Sequence, residues 1–235
     1  MKRALSILLV VLLVVASTML LVACGGGVKS EQQWNDAMDY LKTCDSITIN
    51  YTQNKTTNGR IYTVKDTCTV IYDATKGLLY AESSSKTYNI LNQLKDQSAE
   101  YQYVEVKDMQ LINHTKSIVG VSPANWETAV QSYSSQDEAL QELNNILASY
   151  VKRLGMDNFK YDEFTFKFNK YEKQEVVNQK NTRWQLFFSD GKLAEANYKT
   201  SHKKDSSDID TTKISITIVY SADITTPTDL ADAIR

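Results

Sequence analysis

Alternation between apolar and polar residues is the feature that most restricts the fold of this chain. From Ile47 to Tyr51, every second residue is apolar, and this is the period of a β-strand with one buried face. The same period returns near the C-terminus, where Ile214, Ile216, Ile218 and Tyr220 fall on one face. Both segments predict strands of a sheet that is packed on one face and wet on the other.

Further strand-like runs follow one another at short intervals. They cover 60–64, 67–73, 78–82, 87–91, 101–106, 164–168, 184–188 and 193–200. The connections between them are Asn-Gly, Lys-Gly, Ser-rich, charged or Asp-Gly segments, which are typical of turns. This spacing predicts an antiparallel sheet of nine or ten strands. Together with one helix before the sheet and one or two inserted midway, it indicates the α+β class.

Three segments carry helix signals. Ser30 to Gln33 is a capping-box pattern ahead of a helix that ends near Thr43. Ser122-Pro123 predicts the start of a short helix through Val130. A second capping box, Ser135 to Glu138, precedes a longer helix that ends at Gly155. Its apolar stripe predicts packing on the sheet, with binding of a partner as the alternative; the stripe consists of Leu140, Leu143, Leu147, Tyr150 and Leu154.

Residues 1–23 have the three-part form of a secretory signal, with a basic start, an apolar middle and small residues at the end. The sequence Leu21-Val22-Ala23-Cys24 resembles the bacterial lipobox, in which the cysteine receives a diacylglyceryl group and the leader is cut just before it. The alternative is a signal-anchor helix, because the apolar run approaches the roughly 20 residues that span a bilayer.

The lipobox resemblance implies a lipid-anchored protein on the extracytoplasmic face of the cell membrane. Cys24 would be the first mature residue, 24–30 the lipidated cysteine with a Gly-rich tether, and 31–235 one domain. The six tether residues after Cys24 reach at most about 20 Å. Of the 26 basic residues, 24 remain after the loss of Lys2 and Arg3, against 28 acidic ones. A weakly acidic domain without a basic stripe interleaved with aromatic residues is not expected to bind nucleic acid.

Cys44 and Cys68 are an even pair in an exported chain once Cys24 is set aside, so a disulfide between them is one prediction. Closing that loop would stabilise the fold by about 3.5 kcal/mol on the chain-entropy model. The alternative is two buried thiols, because a free cysteine packs like a small apolar residue.

The order of helix, meander, inserted helix and second meander resembles the LolA and LprG-like superfamily of lipoprotein and lipid carriers. Beside the lipobox, the resemblance rests on the helix that feeds Ile47 to Tyr51, the hairpin Phe187 to Leu193, and the closing strand Ile216 to Tyr220 with Ile224 to Pro227. It spans residues 30–228 and implies a curved half-barrel with its helices on the concave face.

The resemblance also implies an apolar cavity between sheet and helices that shelters an acyl chain. Ten residues on predicted inward faces are candidates for its walls: Tyr51, Val70, Tyr72, Tyr103, Leu143, Leu147, Phe166, Trp184, Leu186 and Ile216. The alternative for each is ordinary core packing, since protein interiors are close-packed.

Signatures of catalysis are absent from the sequence. No nucleophile elbow, His-Glu-x-x-His helix, Walker loop or Cys-x-x-Cys pair occurs, and His114 and His202 lie in polar stretches typical of surface loops. The acidic segment 205–210 lacks the glycine and glutamate of an EF-hand loop, so neither a metal nor another cofactor is predicted. The 14 tyrosines are assigned to sheet packing, with an aromatic binding surface as the alternative.

The sequence therefore predicts a non-enzymatic envelope lipoprotein that binds or carries a lipid or another hydrophobic ligand near the membrane. The alternative is an envelope interaction module, such as a scaffold, adhesion or sensor subunit, that binds a protein partner and no small ligand.

Overall fold

The computed structural model describes residues 30–57, 62–122, 124–156, 159–169, 174–179, 184–203 and 209–233. The leader, Cys24, Asp205 and Asp208 lie outside these ranges, and the side chains of Phe166 and His202 are also outside the described part. Within it, no helix combines the length and apolarity needed to span a bilayer.

Three helices and eleven strands form the described fold. In chain order the elements are α1 Glu31–Thr43, β1 Ser46–Thr57, β2 Tyr62–Asp73, β3 Leu78–Tyr88, β4 Leu94–Lys107, β5 Gln110–Val119, β6 Glu127–Ser132, α2 Gln136–Arg153, the 3-10 turn Tyr161–Glu163, β7 Phe164–Asn169, β8 Gln174–Gln179, β9 Trp184–Ser189, β10 Lys192–Lys203, β11 Ile209–Val219 and α3 Thr228–Ala233.

All eleven strands belong to one open antiparallel sheet in the order β6-β5-β4-β3-β2-β1-β11-β10-β9-β8-β7. The predicted α+β class and large antiparallel sheet are confirmed, with one or two strands more than expected. Each half of the chain forms a meander, and β1 joins them because it pairs with both β2 and β11.

The predicted short helix from Ser122 to Val130 is wrong, because this region contains the edge strand β6. β6 pairs with β5, so that Ala129 lies opposite Asn113. The predicted helix covered only about two turns, which is too short to be stable in isolation. Pairing with the free edge of β5 satisfies the backbone instead.

The helix starts predicted at Ser30 and Ser135 are confirmed, because both residues are N-caps. The Ser30 hydroxyl accepts a hydrogen bond from the Gln33 N–H at 3.2 Å, and the Ser135 hydroxyl accepts one from the Glu138 N–H at 3.2 Å. Gly155 follows α2 with φ +75°, a left-handed conformation that favours glycine and ends the helix.

The main core lies between α1, α2 and one side of the sheet, which we name the helix face and which carries Val70, Ala81 and Ile216. Leu143 and Leu147 of α2 are fully buried against it. The buried residues of α1 are Trp34, Ala37 and Leu41, so the apolar stripes of both helices are used in core packing.

A second, smaller core lies on the opposite side of the sheet, which we name the outer face. Tyr103 packs there with Ile224 and Leu230 of the C-terminal segment. Lys116 donates to the Asp229 carboxylate at 2.6 Å, and this contact lowers the pKa of Asp229. The residues after β11 therefore cross the back of the sheet and cover part of it.

The predicted disulfide is absent from the structure, in which Cys44 and Cys68 are free, buried thiols. Cys68 lies opposite Tyr51, whereas Cys44 precedes Ser46, the first residue of β1. The strand from Ser46 to Tyr51 covers roughly 16 Å, and the two residues before it cannot fold back far enough to bring the Cα atoms within the roughly 7 Å of a disulfide.

Alkylation under denaturing conditions without reductant tests the thiol assignment. In the chain that begins at Gly25, we expect iodoacetamide to modify both cysteines, with mass spectrometry as the readout. A chain that takes up reagent only after reduction would contradict the observed register.

Replacement of Leu147 by Ala should lower the free energy of unfolding by about 2–5 kcal/mol, because it removes buried methyl groups and leaves a cavity. Denaturant unfolding measures the loss. The matched control is Leu91→Ala at a leucine that is 71% exposed, where we expect a change within about 0.5 kcal/mol. Equal effects of the two substitutions would contradict the packing of α2 on the sheet.

Candidate functional site

The residues predicted to line a cavity form packed core in most cases. Five of them have no exposed surface: Val70, Leu143, Leu147, Leu186 and Ile216. Tyr72 is also buried, and its hydroxyl donates to the Asn144 side chain of α2. Trp184 is half-buried and packs on Tyr198 with ring centroids 5.2 Å apart. The space between α2 and the sheet is therefore filled by side chains.

Tyr103 does not share a face with the other candidates whose side chains the structure describes. It lies opposite Tyr80 and His114, on the outer face, where its hydroxyl is 3.2 Å from the Thr226 hydroxyl. Successive residues of a strand point to opposite sides, and the neighbouring Val104 packs in the main core. The sequence pattern predicted Tyr103 on the inward face of β4, whereas the neighbouring Val104 faces the helices there. An error of one residue along a strand places a side chain on the opposite face.

An open cleft remains where α2 ends before the sheet does. Strands β1–β4 extend beyond Leu154, the cap of α2, and leave a cleft of about 230 Å³ on the helix face. Its lining combines a partly apolar floor with a polar rim and consists of Tyr51, Asp66, Thr67, Cys68, Ser83, Ser84, Ser85, Ser98, Ala99, Glu100, Arg153 and Leu154. Tyr51 is the only predicted cavity residue among them.

A chain of hydrogen bonds fixes one wall of the cleft. The Tyr51 hydroxyl donates to the Gln53 amide oxygen at 2.9 Å, and the Gln53 amide donates to the Asp66 carboxylate at 3.0 Å. These side chains lie on neighbouring strands, so the contacts hold the phenol ring and the carboxylate in place. Burial, with the nearby Asp66 carboxylate, raises the pKa of Tyr51.

The opposite wall carries a weak ion pair. Arg153 and Glu100 approach to 3.6 Å, and both side chains are largely exposed. An exposed pair of this kind contributes about 0–1 kcal/mol, so either group can turn toward a ligand at little cost. The rim therefore offers an anionic and a cationic group beside the serine hydroxyls.

The cleft holds no activated nucleophile. Burial raises the pKa of the Cys68 thiol, which keeps it protonated, whereas thiol catalysis needs the thiolate. The described histidine, His114, lies on the outer face. In the ranges given above, no three potential metal ligands come close enough together to hold an ion. The floor and rim of the cleft offer apolar contact and hydrogen-bonding groups to a ligand.

His114 is buried, contrary to the predicted surface loop. It belongs to β5, its Nδ1 is 2.8 Å from the Thr128 hydroxyl, and its Nε2 is buried without a hydrogen-bond partner. Burial lowers the pKa of the imidazole, and the Glu105 carboxylate opposes this effect. Its sequence neighbours are polar because β5 lies next to the edge strand β6, at the border of the smaller core on the outer face.

The stability of the fold should depend on His114 between about pH 7.5 and 5.5. The unfolded imidazole takes up a proton near its ordinary pKa of about 6.5, whereas the folded one resists protonation. The unfolded state therefore binds more protons, and the free energy of unfolding should fall as the pH falls. Denaturant unfolding of the wild type and of His114→Gln measures this; parallel pH curves for the two proteins would refute it.

The cleft residues were missed because the serine run was assigned to a turn. Ser83, Ser84 and Ser85 lie within β3, and Ser83 is opposite Cys68 and Glu100. Three consecutive serines show no alternation of apolar and polar residues, so the sequence did not indicate that they belong to a strand. The length of the neighbouring strand β2 could have indicated that β3 continues, because paired strands of a hairpin have similar lengths.

No family model matches the chain, and no curated protein matches it. Among solved structures, the crystal structure of m157 from mouse cytomegalovirus is similar at 9% sequence identity over 80% of this chain and 91% of that chain, with a TM-score of 0.16. An overlap of this quality carries no argument for fold or function.

Proposed function

We propose that this chain is a bacterial envelope lipoprotein, anchored through Cys24, that binds part of a lipid or another amphipathic ligand in the cleft at the end of α2. In this proposal the sheet is a half-barrel with the helices on its concave side, as the LolA and LprG-like resemblance implies. The observation that carries the proposal is the cleft, where an apolar floor continuous with the main core opens to a polar rim.

The size of the cleft limits what it accommodates. Ligand sites that enclose drug-sized molecules measure about 300–1,000 Å³, and this cleft measures about 230 Å³. It therefore receives a polar head with the first part of an apolar chain. Deeper entry requires α2 to separate from the sheet, because Leu143 and Leu147 fill the space beyond.

The packed interior favours one alternative, an envelope interaction module without a small ligand. Core residues such as Val70 and Leu147 are fully buried, as expected of a domain that serves only as a rigid support. In that case a protein or cell-wall partner would be trapped by cross-linking in cells, and the chain would take up no amphipathic probe.

Filling the cleft distinguishes the two functions. We expect the chain that begins at Gly25 to bind a fluorescent fatty acid, and Ser83→Trp to lower this affinity at least about tenfold, because an indole occupies the cleft between Cys68 and Glu100. Fluorescence titration measures binding, and thermal unfolding verifies that the variant is folded.

The matched control is Thr217→Trp, which adds the same ring at an exposed site on the outer face of β11 and should leave binding unchanged. If the wild type takes up no fatty acid, or if both tryptophan variants bind as the wild type does, the cleft proposal fails. The interaction module is then favoured.

A further inference from the structure

The strand register brings four lysines from distant parts of the sequence into one row on the outer face. Lys199 of β10 lies opposite Lys213 of β11, and Lys65 of β2 lies opposite Lys86 of β3. Asn54 of β1 lies between the two pairs, opposite both Lys213 and Lys65. The row crosses five strands and is roughly 19 Å long, and all four lysine side chains are exposed.

Nothing on the same face of these five strands neutralises the row among the described side chains. The row on one side carries hydroxyl groups and one aromatic ring: Ser201, Thr211, Thr56, Thr63 and Tyr88. The Lys65 ammonium lies over the Tyr88 ring, 5.0 Å from its centroid, and this contact leaves the charge of Lys65 in place. The row on the other side carries hydroxyl and amide groups: Asn197, Ser215, Thr52, Thr67 and Ser84. On this face of the five strands, the nearest carboxylates are those of Glu82 and Glu195, which lie four residues along their strands from Lys86 and Lys199, a backbone distance of roughly 13 Å. The ion pairs of the described residues involve other cations.

Two lysine pairs that face each other across strands carry an energetic cost. Like charges directly opposite each other destabilise an antiparallel pair, and here two such pairs share one row in a chain whose acidic residues after position 23 outnumber its basic ones, 28 to 24. The positive potential is therefore local, and an anionic partner that binds along the row relieves the repulsion. This arrangement favours phosphate groups presented side by side.

Exposed apolar residues beside the row indicate the kind of partner. Ile90 and Leu91 lie in the turn after β3, Leu94 is the first residue of β4, and each is about half exposed or more. Val121 is 92% exposed and follows Gly120, whose N–H donates to the carbonyl of Gln97 at 2.8 Å. Gln97 lies opposite Lys86 and so continues the row.

Basic and apolar residues on one exposed surface are typical of segments that bind at a membrane interface. We propose that this end of the sheet docks on a bilayer that contains anionic phospholipid, with the four lysines at the head-group phosphates and the apolar turn at the acyl boundary. The docking surface is distinct from the cleft on the helix face and does not depend on a ligand there.

Vesicle sedimentation tests the proposal with the chain that begins at Gly25, which has no lipid anchor. We expect it to bind vesicles that contain phosphatidylglycerol, to bind pure phosphatidylcholine vesicles weakly, and to lose affinity as salt increases. Each basic residue near such a surface strengthens binding about fivefold, so K65Q/K86Q/K199Q/K213Q should weaken it roughly several-hundred-fold.

The matched control is K42Q/K107Q/K152Q/K160Q, which removes the same charge from other regions and should have a much smaller effect. Equal losses in the two quadruple variants would overturn the proposal, because net charge and not the row would then govern binding. Unchanged thermal unfolding of the row variant shows that it is folded.

A soluble polyanion is the competing partner. Replacement of the apolar residues in the turn distinguishes it from a bilayer, because only a bilayer has an acyl region for them to contact. We expect I90S/L91S to weaken vesicle binding while binding to inorganic polyphosphate is unaffected. If polyphosphate binds as tightly as the vesicles do and I90S/L91S binds vesicles normally, the row recognises a polymer in solution and the membrane assignment is wrong.

Discussion

Pairing of β1 with β2 on one side and with β11 on the other joins the two meanders into one sheet. Tyr51 thus lies opposite both Cys68 and Ile216, and strand alternation then assigns a face to every neighbour. A shift of β1 by one residue would turn Ile47 and Ile49 out of the core. The main core, the cleft and the lysine row all follow from this register.

The extent of α2 decides which part of the helix face is closed. Leu143 and Leu147 belong to the main core, in which α2 packs on β2–β5, and Gly155 ends the helix before the strands end. Stability and binding are therefore separated along the strands: packed side chains hold the fold together near the middle, while the uncovered end has room for a ligand. Our proposed function uses only the uncovered end.

Local patterns predicted the elements whose signals lie within a few residues, such as the capping boxes at Ser30 and Ser135 and the strand that begins with Ile47. They failed where pairing with distant residues decides the outcome. β6 is a strand because β5 offers an edge, and Tyr103 faces outward because of its register. The lysine row is absent from the linear sequence, since Lys65 and Lys213 meet a common neighbour only through β1.

The central claim is that the interior between α2 and the sheet is packed and that ligand binding takes place only at its uncovered end. A crystal structure with a brominated fatty acid tests this directly, because the anomalous signal of bromine locates the chain. We expect bromine near Ser83 and Leu154, with α2 in place. Bromine between Leu147 and Val70, with α2 displaced, would contradict the claim.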